Sequence, residues 1–180
     1  QLDGDLQKYR AVAATQLLSP GQPFIYYGEE IGIGRAKDMR GDRGLRPPMS
    51  WTADGGFTDG EILFRPYATN VKEANVEDQS GQPYSMLSFY KRIIEVRNNH
   101  FPLRYGSGTV LSAGDNFVLE REHLGQKALV VINYSGGQAK QDLPAYAKGF
   151  QVKYSSVGRR SLPASLEMSP YEILVLGPKG

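Results

Sequence analysis

Cysteine is absent from the 180-residue sequence, so disulfides, zinc ribbons and a thiol nucleophile are excluded, although cysteine-free chains occur in every redox compartment. Histidine is nearly absent too. His100 and His123 are the only two, and a Ser-His-Asp triad or a histidine-based metal site would have to draw on them. His100 closes a helical pattern and His123 falls in a hairpin turn, positions that explain both residues without chemistry. An excess of one charge is lacking as well: 21 Lys and Arg face 19 Asp and Glu, and residues 1–100 and 101–180 carry −1 and +3. Neither part is a polybasic surface, which excludes a nucleic-acid footprint. No apolar run approaches the roughly 20 residues of a membrane helix, and the polar start QLDGDLQKYR is unlike a signal peptide. Phosphate loops of the GxGxxG or GKS/T kind do not occur, so no cofactor is expected; no DxDxDG calcium loop occurs either, so no metal-ligating residue is named in this span, which leaves calcium dependence open.

What is present suits a soluble globular protein of one or two domains. Hydrophobic residues make up 40% of the chain, enough for a core at a length where about 70% of the unfolded surface becomes buried. Asp3 and Asp5 stand ahead of LQKYRAVAATQLL, where they can cap free N–H groups, and the spacing of Leu6, Tyr9, Ala13 and Leu17 predicts a helix over 5–18. Ser19, Pro20 and Gly21 stop it. Residues 23–27, PFIYY, form an apolar run without alternation, which predicts a strand covered on both faces, as in a parallel sheet. The stretch 28–82 is rich in Gly, Pro, Asp and Asn, but its embedded Met49, Trp51, Phe57, Ile62, Leu63, Phe64 and Tyr67 predict an ordered, packed excursion. A second helix is expected over 83–98, with Pro83 in its first turn and Met86, Leu87, Tyr90, Ile93, Ile94 and Arg97 on one face. Asn99, His100 and Pro102 end it. Beyond Pro102, short β-type runs at 109–111, 117–121, 128–132, 150–154 and 171–176 are separated by AGDN, HLGQ and YSGG, which reads as a small antiparallel sandwich.

Two strings carry chemistry. GQPFIYYGEEIG opens a buried strand onto the carboxylates Glu29 and Glu30, and carboxylates at the C-terminal end of a parallel strand can face a substrate. Neighbouring residues on a strand point to opposite faces, so these two cannot serve one glycosidic bond as a catalytic pair. Anchoring of loops through hydrogen bonds is the alternative role for both. RGDRGLRPPMSW combines cations with an aromatic: Arg46 offers a planar fork of donors and Trp51 a stacking face, which suits polar ligands. Arg35, Lys37 and Arg40 read as a solvated basic loop.

The succession of an Ala-rich helix, SPGQPFIYYGEEIG, RPPMSW followed by GFTDG, the helix SMLSFYKRIIEVRNNHFPL and a small β domain resembles the C-terminal portion of the α-amylase family of glycoside hydrolases. The likeness is strongest to the branch of oligo-1,6-glucosidases, α-glucosidases and trehalose synthases. It implies an α+β fragment: the last helix–strand–helix part of a (β/α)8 TIM barrel over 1–102, then an all-β sandwich domain over 103–180. It also implies retaining chemistry at α-glucosidic bonds by a nucleophilic Asp, an acid/base Glu and a second, stabilising Asp. All three precede the eighth barrel strand, the last of them in an Asn-His-Asp string before Gln1. Asn98-Asn99-His100 is followed by Phe101 and is not that string. Catalytic residues are therefore expected to be none in this span. Its part is to line the substrate cleft through Arg46, Glu29, Glu30 and Trp51, on an α-glucan or α-glucoside. The family commonly has Gln where Ser50 stands.

A barrel lacking its N-terminal part exposes apolar helix and strand faces, which predicts self-association. The competing reading is a free-standing carbohydrate-binding or structural β-sandwich module. Its aromatics Phe117, Tyr134, Tyr146 and Tyr154 are scattered, however, and core packing accounts for them. An upstream segment of about 300 residues with βα periodicity separates the two readings.

Overall fold

The computed structural model describes residues 5–60 and 63–179. Asp3 and Ile62, which figure in the expectations above, lie outside them. The chain divides into two compact units: the described residues up to Pro23 with those from Ile93 on, and Phe24–Arg92.

In the first unit, α1 spans Leu6–Leu18, with Asp5 as the cap that accepts from the N–H groups of Gln7 at 2.9 Å and Lys8 at 3.2 Å. Ala11, Ala13, Ala14, Leu17 and Leu18 are buried. Three alanines on this face let α1 lie close against the β-sheet, and its neighbour there is β3 (Gln126–Asn133).

Two buried guanidinium groups close the far end of α1. Arg97, at the end of α4 (Met86–Asn98), donates to the carbonyls of Leu17 at 2.7 Å and Ser19 at 2.9 Å, and also to Gly21. Arg121, fully buried on β2 (Asn116–His123), donates to Leu18, to Gly106 at 2.7 Å and to Ser107 at 3.1 Å. The last carbonyls of a helix have no partners of their own, and these cations supply them. Burial, together with repulsion from Arg97, pushes Arg121 down to about 10.

The sheet order is β1-β2-β3-β7-β5, every pair antiparallel, with β1 at Ser107–Ala113, β5 at Gln151–Ser155 and β7 at Ile173–Gly177. The interior strands β3 and β7 read ALVVI and ILVLG and are buried on both faces. One face receives α1 and the short helix α5 (Phe101–Tyr105). The other face, with Val118, Leu129, Val131, Leu174 and Leu176, packs on Leu166 and Met168. Those two belong to the ribbon of β4 (Ala139–Gln141) and β6 (Leu166–Met168). All five strands expected beyond Pro102 are present.

The structure corrects four expectations. Residues 23–27 form no strand: Phe24 is 77% exposed and Ile25, Tyr26 and Tyr27 are exposed too. A strand exists only through its ladder, and among the described residues no segment pairs with 23–27 in one. The second helix begins at Met86 and not Pro83, because the Ser85 hydroxyl accepts from the Ser88 N–H at 3.1 Å and sets the cap there. The helix ends at Asn98 as expected, but Pro102 then lies in the first turn of a further short helix, α5, that was not foreseen, since a missing N–H costs nothing there. The ribbon β4–β6 was not foreseen, for AKQ and LEM are too short to show a period.

The second unit, Phe24–Arg92, is ordered largely by amide side chains. Asn70 accepts from the Gly34 N–H at 2.7 Å and donates to the Gly32 carbonyl at 3.0 Å. Gln79, in α3 (Val76–Gln79), donates to the Ile31 carbonyl at 2.8 Å and accepts from the Leu87 N–H at 3.0 Å. Asn75 caps α3 through the Asp78 N–H at 2.8 Å. A further short helix, α2, occupies Gly41–Gly44. The excursion is thus packed, as the embedded aromatics predict.

Replacing Arg121 by Met removes three charge-assisted hydrogen bonds and leaves buried carbonyls unpaired. The loss should be about 3 kcal/mol or more in urea unfolding, with the midpoint lowered. A midpoint equal to that of the parent chain contradicts the capping role.

Candidate functional site

The segment RPPMSW is held in place from both sides within the second unit. The Val76 N–H donates to the Ser50 carbonyl at 3.1 Å, and the Glu77 N–H to the Trp51 carbonyl at 2.9 Å. Trp51 and Gly55 form a tight return, with the Trp51 N–H donating to the Gly55 carbonyl at 2.7 Å. Gly55 has φ +107°, and a Cβ there would fall 2.1 Å from Cζ of Tyr67. The Tyr67 hydroxyl in turn accepts from the Phe57 N–H at 3.0 Å. These contacts leave Trp51 half exposed at 49% while its backbone is pinned.

Beside it lies a cleft of about 610 Å³, lined by Tyr27, Glu30, Arg46, Trp51, Phe57 and Arg65 together with the apolar Pro47, Pro48, Met49, Leu63 and Phe64. That volume falls within the range of small-ligand sites. Tyr27 donates its hydroxyl proton to the Pro47 carbonyl at 3.0 Å. Burial and the neighbouring Tyr26 hydroxyl push Tyr27 above the ordinary tyrosine range, while the guanidinium groups of Arg65 and Arg46 pull it down. Arg65 lies over the Phe64 ring, 5.5 Å from its centroid, and donates to the Arg46 carbonyl at 3.3 Å. Arg46 itself meets Asp42 at 3.6 Å, both side chains exposed, so water weakens this pair and the guanidinium can turn to another partner.

Of the four residues singled out from the sequence, Arg46, Glu30 and Trp51 come together around this cleft. Glu30 has one carboxylate oxygen, Oε2, buried without a hydrogen-bond partner. Glu29 is turned elsewhere: it accepts from the Tyr90 hydroxyl at 3.5 Å, in the manner of a loop anchor. Tyr27, Phe57 and Arg65 were not singled out for the site. Phe57 stands in the GFTDG string and Arg65 directly follows an aromatic, the same cation-and-aromatic signal that marked Arg46 and Trp51. Ser50 is fully buried and its hydroxyl makes no hydrogen bond. Among the described residues no three His, Asp or Glu side chains group as metal ligands, and no helix is long and apolar enough to cross a membrane.

Two helices joined by a long excursion that carries a cation-and-aromatic cleft, and, later in the chain, an antiparallel β unit, are the parts to be matched. The alpha-amylase catalytic-domain family matches residues 3–106, and the chain belongs to that family. It is 34% identical to the trehalose synthase of Thermus thermophilus, over 99% of this chain and 19% of that protein. It is 30% identical to the probable oligo-1,6-glucosidase 2 of Bacillus subtilis (strain 168), over 94% of this chain and 38% of that protein. The crystal structure of the trehalulose synthase MutB from Pseudomonas mesoacidophila MX-45 superposes with a TM-score of 0.81 at 23% identity, covering 96% of this chain and 38% of that one. The chain therefore spans well under half the length of these relatives. The fold class is that of the resemblance, the last part of a TIM barrel followed by a small antiparallel β domain, with the segment 23–27 between the two helices in no sheet among the described residues.

Substituting Gly55 by Ala drives a methyl into the Tyr67 ring at a backbone angle that only glycine adopts freely. The expected cost is roughly 2 kcal/mol or more, read as a lower urea midpoint with increased Trp51 fluorescence change. An unaltered midpoint would show that the Trp51 return does not depend on this close approach.

Proposed function

We propose that this chain forms the last wall of the substrate cleft, and the C-terminal β domain, of a glycoside hydrolase that cleaves α-glucosidic bonds with retention of configuration. Residues 1–102 belong to the barrel and 103–180 to the β domain. The observation that carries this is the convergence of Arg46, Glu30 and Trp51 on one cleft in a chain of the α-amylase family. An exposed indole offers a face to the C–H side of a pyranose. Arg46 supplies donors in a planar fork, and the unpartnered Glu30 oxygen accepts from a hydroxyl.

The chemistry itself belongs to carboxylates outside this span. A nucleophilic Asp attacks the anomeric carbon while an acid Glu protonates the departing oxygen, and water then displaces the enzyme under general-base catalysis by the same Glu. The substrate is an α-glucan or α-glucoside, and neither nucleic acid nor membrane is a partner.

Two outcomes follow. The 180-residue chain alone should not hydrolyse a chromogenic α-glucoside, and measurable turnover would defeat the assignment of the acids to other segments. In the full-length enzyme Arg46→Ala should lower kcat/KM by about tenfold or more through a raised KM, whereas unchanged kcat/KM would return Arg46 to a loop-stabilising role.

Phe24, at 77% exposure, and Tyr26, at 43%, present bare aromatic surface. The isolated chain should therefore associate with rising concentration in sedimentation velocity, and Phe24→Asp should restore the monomer. A parent chain that stays monomeric throughout contradicts this.

A further inference from the structure

The first unit contains a second cleft, of about 440 Å³, where the start of α5 meets the edge of the sheet and the chain beyond β7. Its lining differs in kind from that of the cleft at Trp51. Asn99, His100, Gln126, Lys153 and Lys179 bring polar groups, Phe101 brings one large exposed ring, and no carboxylate side chain takes part.

Two features show that this lining is built. Phe101 is 60% exposed, yet its ring is held: Tyr105, one helical turn further on α5, stacks on it at 6.1 Å with 22° between the planes. Tyr105 is itself fixed by the Arg104 guanidinium at 4.9 Å and the His123 ring at 5.7 Å. The second feature is Lys153, the extra residue of a β-bulge. Val152 faces Leu176 and Tyr154 faces Val175, so Lys153 has no counterpart on β7. Bulges re-aim a side chain. Lys153 runs its stem over Gly177, where Cε lies 3.3 Å from the place a Cβ would take. The absent side chain at Gly177 leaves room for this.

The composition selects the occupant. His100 donates from Nδ1 to the Val96 carbonyl at 2.7 Å, which leaves Nε2 to meet a ligand. The amides of Asn99 and Gln126 both donate and accept, and the lysines only donate. A fixed aromatic face beside mixed donors and acceptors suits a polyhydroxylated, uncharged ligand, which buries its C–H face on the ring and satisfies its hydroxyls at the rim. A hydrophobic peptide would leave these polar groups unpaired, at a cost for each.

We infer that Phe101 and Lys153 frame a second carbohydrate-binding site, on the β unit, for a segment of α-glucan. The site requires no chemistry of its own; its consequence is to hold a polymeric substrate near the enzyme and raise its local concentration. The class of sugar rests on the proposed α-glucosidic activity, whereas the site rests on this cleft alone.

The test is retardation of the 180-residue chain in native gels containing amylopectin, with dissociation constants for maltoheptaose by titration calorimetry. Retardation of the parent chain is expected, and Phe101→Ala and Lys153→Ala should each weaken binding by about tenfold, with Lys140→Ala, an exposed lysine outside both clefts, close to the parent. Circular dichroism of the variants should be unchanged, since Phe101 is exposed and α5 is anchored by the buried Leu103. Absence of retardation overturns the inference, as does binding lost on Arg46→Ala but kept on Phe101→Ala. Either result leaves the proposed hydrolase standing. Displacement of the dextrin by sodium phosphate at millimolar concentration would mark an anion site and also overturn it. Binding that depends on Phe101, in a full-length protein without α-glucosidase activity, would uphold the site and refute the hydrolase.

Discussion

Two positive charges that meet main-chain carbonyls, with no carboxylate paired to them among the described residues, hold the first unit together. Arg97 and Arg121 are buried and spend their donors on main-chain carbonyls, from Leu17 through Gly21 and again at Gly106 and Ser107. Carbonyls at the end of a helix carry the negative pole of its dipole, and a guanidinium fork meets several at once. The cations therefore find their compensation in aligned peptide dipoles. This couples the end of α1, the end of α4 and the start of β1, which are distant in sequence. The packing of α1 against β3 and the seat of α5 on the sheet both follow from where that knot is tied.

The second unit uses another device for the same need. With little regular structure between Gly28 and Ser85, its backbone groups require partners from elsewhere, because a buried unpaired N–H or C=O is expensive. Asn70, Asn75 and Gln79 supply them, each bridging a donor and an acceptor on separate turns. The amide side chain fits this role, since it offers both functions on one short stem. Rigidity obtained in this way lets an exposed Trp51 keep its place without being buried, which is what a recognition surface requires.

Both clefts pair aromatic rings with polar groups, but the balance differs. The cleft at Trp51 is predominantly apolar with two guanidinium groups, and the one at Phe101 is mostly amide and ammonium. In the first, Arg46 and Arg65 both act on Tyr27, so its hydroxyl sits in a field that opposes the effect of its burial. In the second, the ring is held by its neighbours Tyr105 and His123, and the cation is positioned by a bulge.

Helical spacing of apolar residues was enough to mark α1 and α4, and short β-type runs between turn strings marked the five main strands. Turn residues placed the hairpins, and the cation-and-aromatic string at 40–51 marked Arg46 and Trp51. Other features could be decided only by tertiary structure. PFIYY has the composition of a buried strand, but a strand is a relation between two segments, and its partner is not among the described residues. Pro102 ends one helix or begins another depending on the carbonyls around it, which local sequence does not specify. Glu29 and Glu30 are indistinguishable as neighbours in a string, and it is the hydroxyl of Tyr90, 61 residues away, that separates them. Arg121 lies in a strand where a charge would be expected to face water. Only the assembled ends of α1, α5 and β1 create the ring of carbonyls that makes its burial favourable.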